Sequence, residues 1–309
     1  MFKKFTSFTW LAVIFSFSIA FGQETAPTTP ITPKDTSYWT TSLQSGTNVN
    51  QSSFSQNWKA GGTNSFALGV FLNGKANYLK DKWSWDNDLQ LQYGLLYTQQ
   101  PVSRWTKTTD RIYLDSKIGH NYSKHWSFFG SVTFNSQFAP GRKYVKNAAG
   151  TADTALYISS FLSPGYLAEA LGVEYKPADY WFIRFGFGGV RQTFVIDQQV
   201  RTGEPGNYGV ATGRVMNQLG LQISSKFDKD ILKNINLKIQ FLGFINYEKF
   251  NNFVNRTDII LTAKVTRYIN TNITAVLFRD ATQDVNYQWS QSLTLGFVYN
   301  VERPKPKSK

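Results

Sequence analysis

From Trp83 to Tyr97 the chain sorts its side chains onto two faces. Trp83, Trp85, Leu89, Leu91, Tyr93, Leu95 and Tyr97 fall on one, and Ser84, Asp86, Asp88, Gln90, Gln92 and Gly94 on the other. A period of two is a β-strand with a single apolar face. At roughly 3.4 Å per residue the segment is about 50 Å long, enough for a strand tilted by about 45° to cross a bilayer and project beyond it. Strands of soluble proteins average only about six residues.

The pattern recurs, and aromatic residues bracket the short polar turns between its copies. Tyr78 precedes Lys80-Asp81-Lys82 and then Trp83 and Trp85; Tyr122 precedes Ser123-Lys124-His125 and then Trp126 and Phe128. Tyr175 likewise precedes Pro177-Ala178-Asp179, followed by Tyr180 and Trp181. A turn at a bilayer edge needs polar residues for water, and the strand ends beside it favour amphipathic rings at headgroup depth. The expected fold is therefore an all-β, antiparallel transmembrane β-barrel. The soluble alternative, hairpins of a sandwich, would use similar turns but would have to bury many charges.

The first residues read as an export signal. Lys3 and Lys4 precede the apolar stretch Phe8 to Phe21, and Ala20-Phe21-Gly22 supplies small residues around the expected cleavage point. We expect a signal peptide over 1–22, a Thr- and Pro-rich flexible periplasmic lead-in over 23–37, a barrel over 38–301 and a basic periplasmic tail over 302–309. There is no cysteine, so neither a disulfide nor a lipidated cysteine can hold or anchor the exported chain. Thirty-three basic against 20 acidic residues give a net charge of +13. The bases are scattered and form no stripe with stacking aromatics, so the expected partners are membrane lipids with anionic headgroups rather than nucleic acid. A chain of this kind also implies the outer-membrane assembly machinery as a partner.

Twelve strands are expected, near 39–51, 64–78, 83–97, 108–122, 126–138, 161–176, 181–196, 214–227, 235–247, 254–268, 271–280 and 286–301. Every second connection is short, and most of the others are longer, including 139–160 and 197–213. Short periplasmic turns and longer outer loops are the two ends of an outer-membrane barrel, and an even strand count puts both termini on the periplasmic side. The predicted lipid face carries Leu68, Leu91, Ile118, Phe128, Phe187 and Leu295, among others. The opposite parity carries Lys75, Asp86, Asp88, Arg111, Asp115, Lys117, Arg184, Lys226, Lys238, Asp258 and Lys264. A dry core would pay heavily for these charges, whereas a hydrated or salt-bridged lumen accommodates them. Seven of the eleven are basic, so an anion-favouring lumen is the expectation. Glu169 breaks the pattern by sharing the parity of Leu167, Leu171 and Val173, which calls for a bulge near 168–172 or a shifted register.

No catalytic, cofactor-binding or metal-ligating residue is expected. His120 falls at a strand end on the lipid-facing parity and His125 in a short turn, neither placed to activate a nucleophile. Zinc sites want His and Cys clusters that the chain lacks. Asp86 and Asp88 lie about 7 Å apart on one face, but Arg111 and Lys117 on the next strand offer ordinary pairing partners. Gly61-Gly62 has no strand-to-helix context for a phosphate loop.

Phe54-Ser55-Gln56-Asn57-Trp58, Gly61-Gly62-Thr63-Asn64-Ser65, Lys82-Trp83-Ser84-Trp85-Asp86-Asn87 and Phe161-Leu162-Ser163-Pro164 resemble an uncharacterised Gram-negative outer-membrane β-barrel family of about 300 residues, one filed as a domain of unknown function. The resemblance implies a signal peptide and a barrel of this size, and no activity or site residue. The function expected is non-enzymatic: a passive or anion-favouring channel, or a structural component of the envelope. The alternatives are a barrel that binds a ligand or protein through its outer loops and, further off, a barrel enzyme.

Overall fold

The computed structural model describes residues 38–53, 64–98, 104–146, 153–202, 207–250 and 253–303. The expected signal, lead-in and tail segments at 1–37 and 304–309 lie outside them. Twelve strands close into one antiparallel barrel. They are β1 (Trp39–Ser52), β2 (Ser65–Lys80), β3 (Trp83–Thr98), β4 (Arg104–Asn121), β5 (Trp126–Ser136), β8 (Gly165–Ala178), β9 (Trp181–Phe194), β10 (Val215–Leu232), β11 (Ile235–Asn246), β12 (Phe253–Lys264), β13 (Ile269–Asp280) and β14 (Asp284–Arg303). Each pairs with its sequence neighbour in the wall, β5 pairs β8, and β1 closes on β14 through nine residue pairs from Thr41↔Arg303 to Val49↔Leu295. The expected 139–160 loop contains a hairpin of its own, β6 (Gly141–Lys146) with β7 (Asp153–Ser159), outside the barrel wall.

Closure satisfies every ladder edge, which is the condition for backbone inside a hydrocarbon layer. The side chains then divide by parity. Leu68, Leu114, Ile118, Phe128, Leu171, Phe187, Leu293 and Phe297 are exposed on the outside, where a soluble protein would not leave such a belt bare. Aromatic pairs ring the short-turn end: Trp39 and Tyr78 at 5.3 Å, Tyr122 and Phe128 at 4.8 Å, Trp126 and Tyr175 at 4.7 Å, Tyr180 and Phe227 at 5.5 Å. His120 joins this ring, packed on Trp83 at 4.9 Å, and His125 donates from Nδ1 to the Lys176 carbonyl in the adjoining turn at 3.0 Å.

The local irregularity signalled by Glu169 is real but sits on the neighbouring strand. Against β8 and β10 alike, β9 carries one extra residue within Gly186-Phe187-Gly188-Gly189. Glycines are needed there because the backbones approach closely: a Cβ on Gly172 would collide with the Phe185 carbonyl, and one on Gly189 with the Gly220 carbonyl. The bulge swaps the parity of β9, so Arg184 and Arg191 both face inward although seven positions separate them. Glu169 stays outside. It pairs in register with Val132 and Val190, between the buried Ala168 and Ala170.

At the opposite end the longer connections pack on one another. The β9–β10 connection holds α1 (Gln198–Thr202) and a small core of Val195, Val200, Tyr208 and Val210. The Tyr208 hydroxyl donates to the Ile158 carbonyl of β7, and Ser163 Oγ accepts from the Asp197 amide at 2.8 Å. Burial pushes the Tyr208 phenol up to about 12. Gln283, in the turn between β13 and β14, donates to the Tyr166 hydroxyl at 2.9 Å. The first two contacts tie the β9–β10 connection to the β5–β8 one as a cap at the loop end of the barrel, and the third fastens the β13–β14 turn to β8 beneath it.

Candidate functional site: a cross-braced lumen with two chambers

Of the eleven charged residues expected in the lumen, Lys75, Asp86, Asp88, Asp115, Lys117, Arg184 and Lys226 line one internal cavity and Arg111 and Asp258 a second, and the structure adds to them. Glu174, Asp228 and Asp280 face in from the acid side, Arg191 and Arg256 from the basic side. The excess of positive charge counted from the sequence therefore shrinks.

What organises these groups is their reach across the barrel. Lys75 on β2 meets Asp228 on β10 at 3.5 Å, and these strands are six apart around a twelve-stranded wall, hence diametrically opposed. Lys226 on β10 pairs with Asp88 on β3 across five strands. Between them, Glu174 is the hub of a buried network: it accepts from Lys117 Nζ at 2.8 Å and from Arg184 Nε at 2.7 Å. Lys117 also holds Asp86 at 2.9 Å, and Arg184 holds Asp115 at 2.9 Å. Arg184 lies over the Phe182 ring at 4.3 Å, so its flat face is covered as well. Side chains of Lys117, Glu174 and Arg184 are 4, 5 and 7% exposed, too dry for any one to lose its partner cheaply. Lys238 stands beside Lys226 in the field of Asp88 and Asp228. Lys264 and Asp230, 3.5 Å apart, sit half-exposed at the short-turn mouth.

At mid-height the braces become neutral. Tyr113 on β4 accepts from Gln240 Nε2 on β11 at 2.9 Å, again five strands apart. Tyr113, Gln240, Thr133 and Leu242 line both of two separate cavities, so they form the floor of one and the ceiling of the other. The chamber toward the short turns, about 270 Å³, is walled by the ionic network. The one toward the cap, about 230 Å³, has a different lining: Leu242, Phe244, Val254 and Phe278 beside Arg111, Arg256, Asp258 and Gln222. In it Arg256 grips Asp258 with two nitrogens, at 2.9 and 2.7 Å, while Arg111 reaches the same carboxylate only at 3.9 Å and stacks on Tyr113 at 4.7 Å. Arg191 pairs with Asp280 at 2.8 Å just below the cap.

Sequence reasoning missed Tyr113 and Gln240 because it looked only for charge on the inward parity. It placed Asp228 in a turn and passed over Glu174, whose alternation with Ala170 and Gly172 already pointed it inward. Arg191 was hidden by the β9 bulge, whose signal was Gly186-Phe187-Gly188-Gly189. Among the described residues, no group of three or more His, Asp or Glu is arranged to hold a metal ion.

Comparison with known proteins gives the following. No curated protein matches the chain in sequence. Solved structures similar to it include an outer membrane channel from Pseudomonas putida F1, 10% identical over 89% of this chain and 100% of that one, with a TM-score of 0.40. The NanC porin is 9% identical over 82% of this chain and 98% of that one, with a TM-score of 0.38. The translocator domain of the autotransporter NalP from Neisseria meningitidis is 12% identical over 84 and 86% of the two chains, with a TM-score of 0.33. Residues 49–141, which run from the end of β1 to the start of β6 and contain the Phe54–Trp58 and Lys82–Asn87 segments, match a family model described as Protein of unknown function (DUF3078), consistent with an uncharacterised outer-membrane barrel family.

Proposed function

We propose that this chain is a non-enzymatic outer-membrane barrel that does not form an open pore, and that it acts by holding a small molecule in the chamber beneath its cap. The observation that carries this reading is the Tyr113–Gln240 bridge between opposed strands, reinforced on its short-turn side by the Lys75–Asp228 and Lys226–Asp88 braces. A twelve-stranded barrel is intermediate between small filled barrels and wide porins, so a few spanning side chains are enough to close it. The positive excess persists, nine basic against seven acidic inward groups, but most of these charges are spent in ion pairs across the lumen, and a paired charge attracts a passing anion less than a free one. The apolar belt and the aromatic ring support an outer-membrane location with the short turns in the periplasm, reached after export and insertion by the assembly machinery.

Two measurements test this. The protein is expected to fractionate with outer membranes and to be heat-modifiable on a gel, and recovery as a soluble periplasmic species rejects the barrel reading. Reconstituted into liposomes, it is expected to leave swelling in small sugars at the lipid-only rate. Rapid swelling rejects the closed lumen.

A further inference from the structure

We infer that the chamber beneath the cap is a binding site for a small organic acid with a flat apolar body, whose carboxylate is taken by Arg111. The inference rests on the closed-lumen reading, since the floor is what makes the chamber a pocket instead of a passage.

The charge argument comes first. Two guanidinium groups, Arg111 and Arg256, face one carboxylate, Asp258, and Arg256 has claimed it with two short bonds. Arg111 keeps only a 3.9 Å approach, and its Nε is buried with no hydrogen-bond partner. A buried guanidinium donor left in this way is costly, and a carboxylate is the group whose geometry matches the free edge. The neighbouring Arg191 is already engaged by Asp280 at 2.8 Å. Arg111 is thus the cation of this chamber with bonding capacity to spare.

The body of the ligand follows from the rest of the lining. Leu242, Phe244, Val254 and Phe278 make an apolar wall around about 230 Å³, more than the roughly 150 Å³ that accommodates benzene. Gln222, only 5% exposed, also lines the chamber, and its Oε1 is buried with no hydrogen-bond partner. An oxygen there accepts a hydrogen bond and repels an anion, so it suits a hydroxyl or N–H carried by the ligand away from the acid group. One edge anionic, a flat apolar middle and one donor describe a hydroxylated aromatic acid.

Isothermal titration of the folded barrel in detergent, with 4-hydroxybenzoate and with phenol as probes, tests the assignment. The native protein is expected to bind 4-hydroxybenzoate at least tenfold more tightly than phenol. Arg111→Gln should abolish that difference, Arg111→Lys should restore part of it, and Phe278→Ala should weaken both probes. Heat-modifiability reports whether each variant is folded. Equal affinity for the two probes in the native protein, no binding, or selectivity that survives Arg111→Gln overturns the assignment. The underlying reading fails separately: a barrel that conducts ions freely yet shows the Arg111-dependent selectivity rejects the closed lumen and keeps the ligand class, and a closed barrel that binds neither probe does the reverse.

Discussion

The two chambers are built from the same strands and differ in how their charges are spent. Toward the short turns, every central carboxylate is held by a cation from another strand: Glu174 by Lys117 and Arg184, Asp115 by Arg184, Asp88 by Lys226. Toward the cap, Asp258 is shared unequally between Arg256 and Arg111, and much of the wall is apolar. A saturated network locks strands together, and an unsaturated one beside apolar surface is prepared for something else. The difference teaches that lumen charge in a barrel of this width divides into bracing and recognition, and that pairing distance tells the two apart.

Substitutions in the two regions should break this contrast or sharpen it. The largest effect is expected at the hub. Glu174→Leu leaves Lys117 and Arg184 short of a partner in a dry interior and should cost about 3 to 5 kcal/mol, read by urea unfolding in lipid vesicles. Next comes the outer wall: Leu91→Arg should cost about 2 to 4 kcal/mol because it puts a charge into lipid. Gln90→Arg, one position away but facing Asp88, with which Gln90 already bonds at 3.1 Å, should cost less than half as much in the same titration. Equal costs would contradict this assignment of faces, and a larger cost at Gln90 would show them to be exchanged.

The cap offers a smaller test. Tyr208→Phe removes the hydroxyl bond to Ile158 and should loosen the cap by about 1 kcal/mol, seen as faster proteolysis around 195–210. The pH dependence follows from the same residue. Its phenol titrates near 10 when exposed and near 12 in the folded cap, so the folded state holds the proton more firmly. That stability is fully present below pH 10 and lost as pH rises through 12, and Tyr208→Phe should remove this part of the alkaline sensitivity. The smallest effect is expected at Arg111: Arg111→Met leaves Asp258 fully bonded to Arg256 and should change stability by less than about 1 kcal/mol. A loss as large as that of Glu174→Leu would make Arg111 a brace and erase the distinction between chambers.

The architecture was legible in the sequence because a barrel wall repeats one simple rule, apolar out and polar in, over strands long enough for alternation to stand clear of noise. The lipid-facing residues of β3, β5 and β14 and the nine charges that line the two cavities follow from that rule. It fails where the backbone breaks its own period. The extra residue in β9 reversed parity between Phe187 and Arg191, and no count of alternation carried across it could have placed Arg191 in the lumen. Which inward groups touch is a different matter again. Lys75 and Asp228 are 153 positions apart in the chain and meet only because closure sets β2 opposite β10. The Tyr113–Gln240 floor was invisible for the same reason, and because neither residue carries a charge to draw attention.

Single-channel recording in a planar bilayer, comparing the native protein with the double variant Tyr113→Ala, Gln240→Ala, tests the closed lumen most directly. The native barrel is expected to show no steady open conductance. The variant, with the bridge and both of its side chains removed from the shared wall of the two chambers, is expected to show discrete openings. A native protein that conducts steadily, with current unchanged in the double variant, would contradict the claim that these two residues close the lumen.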